Sequence, residues 1–159
     1  MKDYTWNMNL ALEQAGKAYS SGEVPVGCVI TNECGSIISQ SFNEKEKKYD
    51  PCGHAEIIAI RNAGLKLKNW RLSNCKIFVT LEPCPMCLDA MIHARVSHLI
   101  FGAYDSKAGA LSLGYNFYKD KRLNHQFSVM GGIEHFKCSR LLSNFFRERR
   151  GQYQTRNDD

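Results

Sequence analysis

The spacing of hydrophobic positions along the chain predicts four helices. Apolar side chains that recur every three or four residues line one side of a helix and place that side against a core. Segments with this spacing are residues 5–20, 55–67, 84–94 and 136–145.

Short apolar runs between these segments predict strands. The runs are residues 24–30, 75–81, 96–102 and 127–130, with a hairpin return at residues 37–38. The charged segment 44–49 has neither period and is predicted to be a loop. Because strands alternate with helices, we expect an α/β fold with one mixed sheet of about five strands and helices on its faces.

Length and composition indicate one ordinary globular domain. The chain has 159 residues, of which 43% are hydrophobic and 23% charged. This is enough to bury a core, and no repeat, low-complexity tract or linker divides the sequence. We therefore predict a single domain over residues 1–151 and a disordered tail over residues 152–159.

The sequence lacks the apolar run of about 18 residues that a membrane span needs. Its first residues are polar and of mixed charge, which is not the pattern of a secretory signal. We expect a cytoplasmic protein without a membrane partner.

Seven cysteines, an odd number, include one Cys-x-x-Cys pair, Cys84 and Cys87. This count fits reduced thiols and a metal site better than a set of disulfides. Cys84 follows the predicted strand end Leu81-Glu82-Pro83, and His54 follows the chain break Asp50-Pro51-Cys52-Gly53. Each therefore opens a predicted helix, and positions three apart on a helix share a face.

One imidazole and two thiolates are a ligand set for zinc. A catalytic zinc site has three protein ligands and keeps one position for water, whose pKa it lowers to about 7. Glu56 stands two residues after His54 and is the candidate proton carrier. Cys52 is an alternative fourth ligand that would close the site into a structural one. The joint pattern His-x-Glu and Pro-Cys-x-x-Cys is the signature of zinc nucleobase deaminases and favours the catalytic interpretation.

Residues outside the zinc motifs make the sequence similar to the bacterial tRNA-specific adenosine deaminases, from about residue 6 to residue 150. The shared stretches are Glu23-Val24-Pro25-Val26-Gly27, Asn43, Asp50-Pro51, His54-Ala55-Glu56-Ile57, Thr80-Leu81-Glu82-Pro83-Cys84-Pro85-Met86-Cys87, Ala90-Met91-Ile92-His93-Ala94-Arg95, Phe101-Gly102-Ala103, Asp105, Lys107, Gly109-Ala110, Asn124-His125 and Phe145-Phe146-Arg147. The chain departs from the family at Cys52-Gly53, Glu44-Lys45 and Tyr104.

The resemblance implies hydrolytic deamination of adenosine to inosine at the wobble position, residue 34, of an arginine tRNA with anticodon ACG. It also implies the three-layer α/β/α cytidine-deaminase fold. The expected assembly is a homodimer with one zinc ion in each subunit. Both subunits would contact the anticodon stem-loop.

By resemblance, Asn43 hydrogen-bonds the flipped base, and the main-chain amides around Ala55 and Glu82 line its pocket. The residues implied to contact the anticodon loop are Asp105, Asn124, His125, Phe145, Phe146, Arg147 and Arg149. Each has a plainer interpretation: Asn43 as a turn residue, Asp105 as a helix cap, and the phenylalanines as part of a dimer interface.

Basic residues are concentrated toward the C-terminus, where residues 117–156 contain nine Lys or Arg against three Asp or Glu. Taken alone, this is the pattern of a solvated helix face; beside an RNA substrate it would attract phosphates. Two other functions remain open. One is deamination of a small molecule such as free cytidine, cytosine, guanine or a pterin-like base, and the other is a structural-zinc RNA-binding module without catalysis.

Overall fold

A five-stranded mixed sheet forms the centre of the structure, a computed structural model that describes residues 2–155. The strands are β1 (Gly27–Thr31), β2 (Ile37–Phe42), β3 (Lys76–Leu81), β4 (His98–Ala103) and β5 (Ser128–Met130). Their order across the sheet is β2-β1-β3-β4-β5. Strand β1 is antiparallel to both of its neighbours, whereas β3, β4 and β5 are parallel.

Helices cover both faces of this sheet. They are α1 (Lys2–Ser20), α2 (Lys45–Lys48), α3 (Ala55–Leu67), α4 (Pro85–His93) and α5 (His135–Thr155), with a 3-10 turn at Phe117–Lys119. Two separate clusters of buried side chains show the layers: one joins the sheet to α3 and α4, and the other joins it to α1 and α5. The predicted three-layer α/β/α fold is confirmed.

Successive strand residues point to opposite layers, as the pleat of a strand requires. In β1, Cys28 and Ile30 belong to the α3–α4 cluster and Val29 to the α1–α5 cluster. All five residues of β1 are buried, which is why this strand has a continuous apolar pattern. Helix α1 lies so close to β1 that a Cβ atom at Gly27 would collide with the Ala11 carbonyl oxygen.

The predicted loop at residues 44–49 is wrong in part, because it contains the one-turn helix α2. The cause is a residue more than twenty positions earlier. The carboxylate of Glu23, which is 2% exposed, accepts the backbone N–H groups of Glu46 at 3.2 Å and Lys47 at 2.8 Å. Local sequence does not show that such an acceptor is present.

The C-terminal helix is longer than predicted. Helix α5 runs to Thr155, so residues 152–155 of the predicted tail are helical. The remainder of that tail, residues 156–159, lies outside the described residues. Over residues 2–155, no helix is both long and apolar enough to cross a membrane.

Candidate active site

The two metal-ligand motifs meet where two helices begin. His54 is the cap residue before α3, with φ −79° and ψ 146°, and Cys84 is the cap residue before α4, with φ −71° and ψ 168°. Both residues are extended, and the helix starts only after them. Pro85 occupies the first turn of α4, where its missing N–H costs nothing. Cys87 lies one turn further along the same helix.

The side chains of His54, Cys84 and Cys87 fit a zinc ion. The Nδ1 atom of His54 lies 3.6 Å from the Sγ atom of Cys84 and 3.5 Å from that of Cys87. Tetrahedral zinc with ordinary bond lengths holds a nitrogen and a sulfur ligand about 3.6 Å apart. The three donor atoms all lie within 4.8 Å of one another. The predicted ligand set is thus assembled with the right chemistry and spacing.

Cys52 does not join this group. Its side chain lines a groove between α3 and α4 together with Trp70 and Met86. Among the described residues, no fourth cysteine completes a closed, four-ligand structural site. A site with three protein ligands is the type that leaves a coordination position for water.

Glu56 lies in the first turn of α3 and is 4% exposed. Burial raises the pKa of its carboxyl group to about 7, because water no longer stabilises the charged form. In the same site, a hydrogen bond from Cys87 lowers the pKa of Cys84 to about 4. Cys84 is therefore suited to bind a cation as a thiolate, and Glu56 to exchange a proton near neutral pH.

These groups surround a cavity of about 180 Å³. Its lining residues are Val24, Val26, Asn43, Lys45, His54, Glu56, Leu81, Glu82, Cys84, Asp105 and Ala108. The apolar members provide walls for a flat base, and the polar ones lie around the metal-ligand group. Such a cavity, mostly apolar with a few convergent polar groups, is the usual form of a small-ligand site.

Asn43 connects two parts of the cavity wall. Its Nδ2 atom donates to the Val24 carbonyl oxygen at 3.1 Å, and its Oδ1 atom accepts the Ala55 N–H at 2.9 Å. The amide side chain still has a second N–H for a ligand. Of the main-chain amides predicted to line the pocket, the Ala55 N–H donates to Asn43, and the N–H of Glu82, which lines the cavity, donates to the Ala103 carbonyl oxygen at 2.8 Å.

The side chain of Glu82 has a role that the sequence did not show. This carboxylate, 2% exposed, accepts the Asp105 N–H at 3.0 Å, the Ser112 N–H at 2.7 Å and the Ser112 hydroxyl at 2.6 Å. A Cβ atom at Gly109 would collide with it. Glu82 thus holds the 105–112 turn against the end of β3, two residues before the ligand Cys84. The glycine at position 109 was the only signal in the sequence.

Asp105 forms part of that turn. Its Oδ1 atom accepts the N–H groups of Lys107 at 3.0 Å and Ala108 at 3.1 Å, as a capping residue does. Because the described residues after Asp105 form a turn and not a helix, Asp105 stabilises this turn and is not the helix cap of the plainer interpretation. Asp105 also lines the cavity.

A basic groove continues from the cavity toward α5. It shares Val24, Leu81 and Asp105 with the cavity. The groove is further lined by Lys107, Leu142, Ser143, Phe146, Arg147 and Arg150. The groove therefore places three cationic side chains, Lys107, Arg147 and Arg150, next to the cavity, where they would attract a polyanion.

Comparison with known proteins identifies the family. The model of the cytidine and deoxycytidylate deaminase zinc-binding region matches residues 1–103. The tRNA-specific adenosine deaminase of Haemophilus influenzae is 44% identical over 143 residues, which cover 90% of this chain and 83% of the relative. The chain belongs to the tRNA-specific adenosine deaminase family.

Two further relatives agree. The tRNA-specific adenosine deaminase of Bacillus subtilis is 41% identical over 90% of this chain and 88% of its own length. A solved structure from a study of A-to-I editing by tRNA:A34 deaminases superposes with a TM-score of 0.82. It is 37% identical in sequence, and the match covers 87% of this chain and 99% of that one.

The family residues on α5 separate into two groups. Phe145 is 4% exposed, and its ring lies 5.4 Å from that of Tyr19 in an edge contact. Arg149 lies over the Phe145 ring at 4.9 Å and donates to the Gly22 carbonyl oxygen at 2.8 Å. The packing of α5 on α1 therefore buries Phe145, and its predicted contact with the anticodon loop stays a prediction. Phe146, 44% exposed, and Arg147 line the basic groove.

Asn124 and His125 lie away from the cavity of their own chain. The Oδ1 atom of Asn124 accepts a hydrogen bond from Arg95 at 2.6 Å. His125 is bonded through Nε2 to the Val96 carbonyl oxygen at 2.7 Å. Neither lines the cavity or the groove. Both residues lie between the 3-10 turn Phe117–Lys119 and β5.

Proposed function

We propose that this protein hydrolyses adenosine to inosine, with release of ammonia, at wobble position 34 of an arginine tRNA with anticodon ACG. The proposal rests on one observation: three candidate zinc ligands and the buried Glu56 lie at a cavity that opens into a basic groove. The relatives named tRNA-specific adenosine deaminase support the same substrate. The cytoplasmic location expected from the sequence goes with a tRNA substrate.

His54, Cys84 and Cys87 would hold one zinc ion, which makes a water molecule acidic enough to react at neutral pH. Glu56 would take a proton from the attacking water, whose oxygen bonds to C6 of adenine, and would deliver that proton to the adenine ring nitrogen. It then helps the amino group leave as ammonia. Because burial raises the pKa of Glu56 above that of a free carboxyl group, it can both accept and return a proton.

The cavity walls orient the base. Val24, Val26 and Leu81 offer apolar surfaces, and the free N–H of Asn43 is available to an acceptor on the base edge. The target nucleotide must leave its stack to enter such a cavity, and a hairpin loop already presents its bases unstacked. Phe146 in the groove is placed to stack on a neighbouring base, and Arg147 to contact phosphate.

We further propose a homodimer with one zinc ion in each subunit. Helices α3 and α4 border a groove of about 510 Å³ that is mostly apolar and includes the exposed side chains of Trp70 and Met86. Exposed apolar surface of this kind marks a protein interface. The groove also includes His93 and Ala94, next to Arg95, which holds Asn124. A partner bound there lies beside Asn124 and His125, which accounts for their distance from their own cavity.

The test uses the zinc-loaded protein and an anticodon stem-loop with the sequence ACG. Sequencing after incubation should read position 34 as G, because inosine pairs as guanosine does. Free adenosine, cytidine and guanine are offered in parallel reactions. Rapid turnover of a free compound with none of the RNA would instead establish a small-molecule deaminase. Analytical ultracentrifugation of the same preparation gives the oligomeric state.

A further inference from the structure

We propose that Lys45 binds a phosphate beside the target nucleotide and forms a pair of cations with Lys107 of the adjoining basic groove. This inference rests on the proposed RNA substrate and adds a residue that positions it. Lys45 stands at one of the positions where the chain departs from its family. It belongs neither to the metal-ligand group nor to the basic groove on α5.

The first observation is the position of Lys45. Its side chain lines the same cavity as His54, Glu56 and Asn43, and it is exposed. In the part of the chain that the structure describes, no salt bridge involves Lys45. A lysine that lines the cavity without an acidic partner is available to an incoming anion.

The sheet order separates Lys45, which lines the cavity, from Lys107, which lines the adjoining basic groove. Lys45 follows β2 and Lys107 follows β4, and strands β1 and β3 lie between them. Three strand spacings correspond to about 14 Å at the backbone, and long side chains shorten this gap. A nucleotide inserted between the two residues carries a phosphate on each side. The separation of the two lysines therefore fits one everted nucleotide, with one phosphodiester linkage near each lysine.

The second observation is the support beneath Lys45. Helix α2 begins at Lys45. The N–H groups of Glu46 and Lys47 in this helix donate to the buried carboxylate of Glu23. The Lys45 carbonyl oxygen also accepts the Asp50 N–H at 3.1 Å. A buried carboxylate is costly unless such hydrogen bonds satisfy it. The backbone of Lys45 is therefore fixed, and binding a phosphate needs to order only its side chain.

Lys48 provides a matched control. It is the last residue of the same short helix, it is exposed, and it does not line the cavity. Substituting Lys45→Gln or Lys48→Gln removes the same charge from the same helix. A general effect of net charge on RNA attraction would be equal in the two variants, whereas a phosphate contact exists in only one.

The experiment measures deamination of the ACG stem-loop by the zinc-loaded protein at several salt concentrations. For Lys45→Gln we expect KM to rise roughly fivefold with kcat unchanged, as for one exposed charge pair. The slope of log affinity against log salt should fall by about 0.7, as for one phosphate contact to a single strand. Lys48→Gln should reproduce the wild type. Zinc content and melting temperature should be the same in all three proteins.

A second measurement locates the phosphate. Stem-loops are made with a neutral methylphosphonate at the linkage on either side of residue 34. At the linkage that Lys45 contacts, the neutral group should remove the difference between wild type and Lys45→Gln.

Equal KM and salt slope for Lys45→Gln and Lys48→Gln would overturn the inference, as would a difference that persists with both neutral linkages. If the wild type deaminates no RNA at all, the proposed function itself fails, and this result is distinct from the other two.

Discussion

The metal-ligand group and the basic groove are held in place in different ways. His54, Cys84 and Cys87 take their positions from the first residues of two helices, so short motifs determine most of their geometry. The groove depends on distant partners, such as the carboxylate of Glu82, which binds Ser112 thirty residues later. Short local motifs therefore determine the chemistry of this protein, whereas its substrate selection depends on tertiary contacts.

The largest effect on deamination is expected for Glu56, which belongs to the metal-ligand site and not to the groove. Replacing Glu56 with Gln removes the proton carrier and leaves the three metal ligands in place. Deamination should fall roughly 10²- to 10⁴-fold, the range for loss of general acid–base catalysis. Zinc content by atomic absorption and stem-loop affinity should remain those of the wild type. Unchanged turnover would show that the metal site is structural. The metal-ligand group and the groove would then no longer have separate catalytic and binding roles.

Adjacent residues Phe145 and Phe146 test whether the two sides of α5 have separate roles. Phe145→Ala should lower the free energy of unfolding by roughly 3 kcal/mol, because it opens a cavity against Tyr19. Phe146→Ala should leave the melting temperature unchanged and weaken stem-loop binding by about 1–3 kcal/mol through lost stacking. Thermal denaturation and RNA titration of both variants give the result. The reverse outcome would support Phe145 as a base contact.

Glu82 connects the two regions, and its substitution should affect both. In Glu82→Gln, the Asp105 and Ser112 N–H groups lose a charged acceptor, which should cost about 1–3 kcal/mol of stability. Because the 105–112 turn then moves, KM for the stem-loop should rise more than kcat falls. Ser112→Ala is the matched control, since it removes only the hydroxyl bond and should cost about 1 kcal/mol. A fall in kcat without a rise in KM would instead show that Glu82 supports the metal-ligand group and not the groove.

This contrast explains what the sequence could predict. The helices, the strands, the metal ligands and Glu56 follow from periodicity and from two motifs at helix starts. Helix α2 and the 105–112 turn do not, because each depends on a buried carboxylate, Glu23 or Glu82, whose partners are more than twenty residues away. The residue types on α5 were predicted, but which of them face inward depends on how α1 packs against that helix.

The smallest effects are expected for two arginines of α5 that look equivalent in sequence. Arg147 lines the basic groove, whereas Arg149 lies over the Phe145 ring and donates to the Gly22 carbonyl oxygen. Arg147→Gln should therefore reduce the salt slope of stem-loop binding by about 0.7 and leave stability unchanged. Arg149→Gln should keep the slope and lower the melting temperature, because one hydrogen bond and one cation–π contact are lost. The two variants carry the same net charge, so equal salt slopes would mean that α5 attracts RNA only through its overall charge. In that case the side of α5 with Phe145 and the side with Phe146 would differ in their contribution to stability but not in RNA recognition.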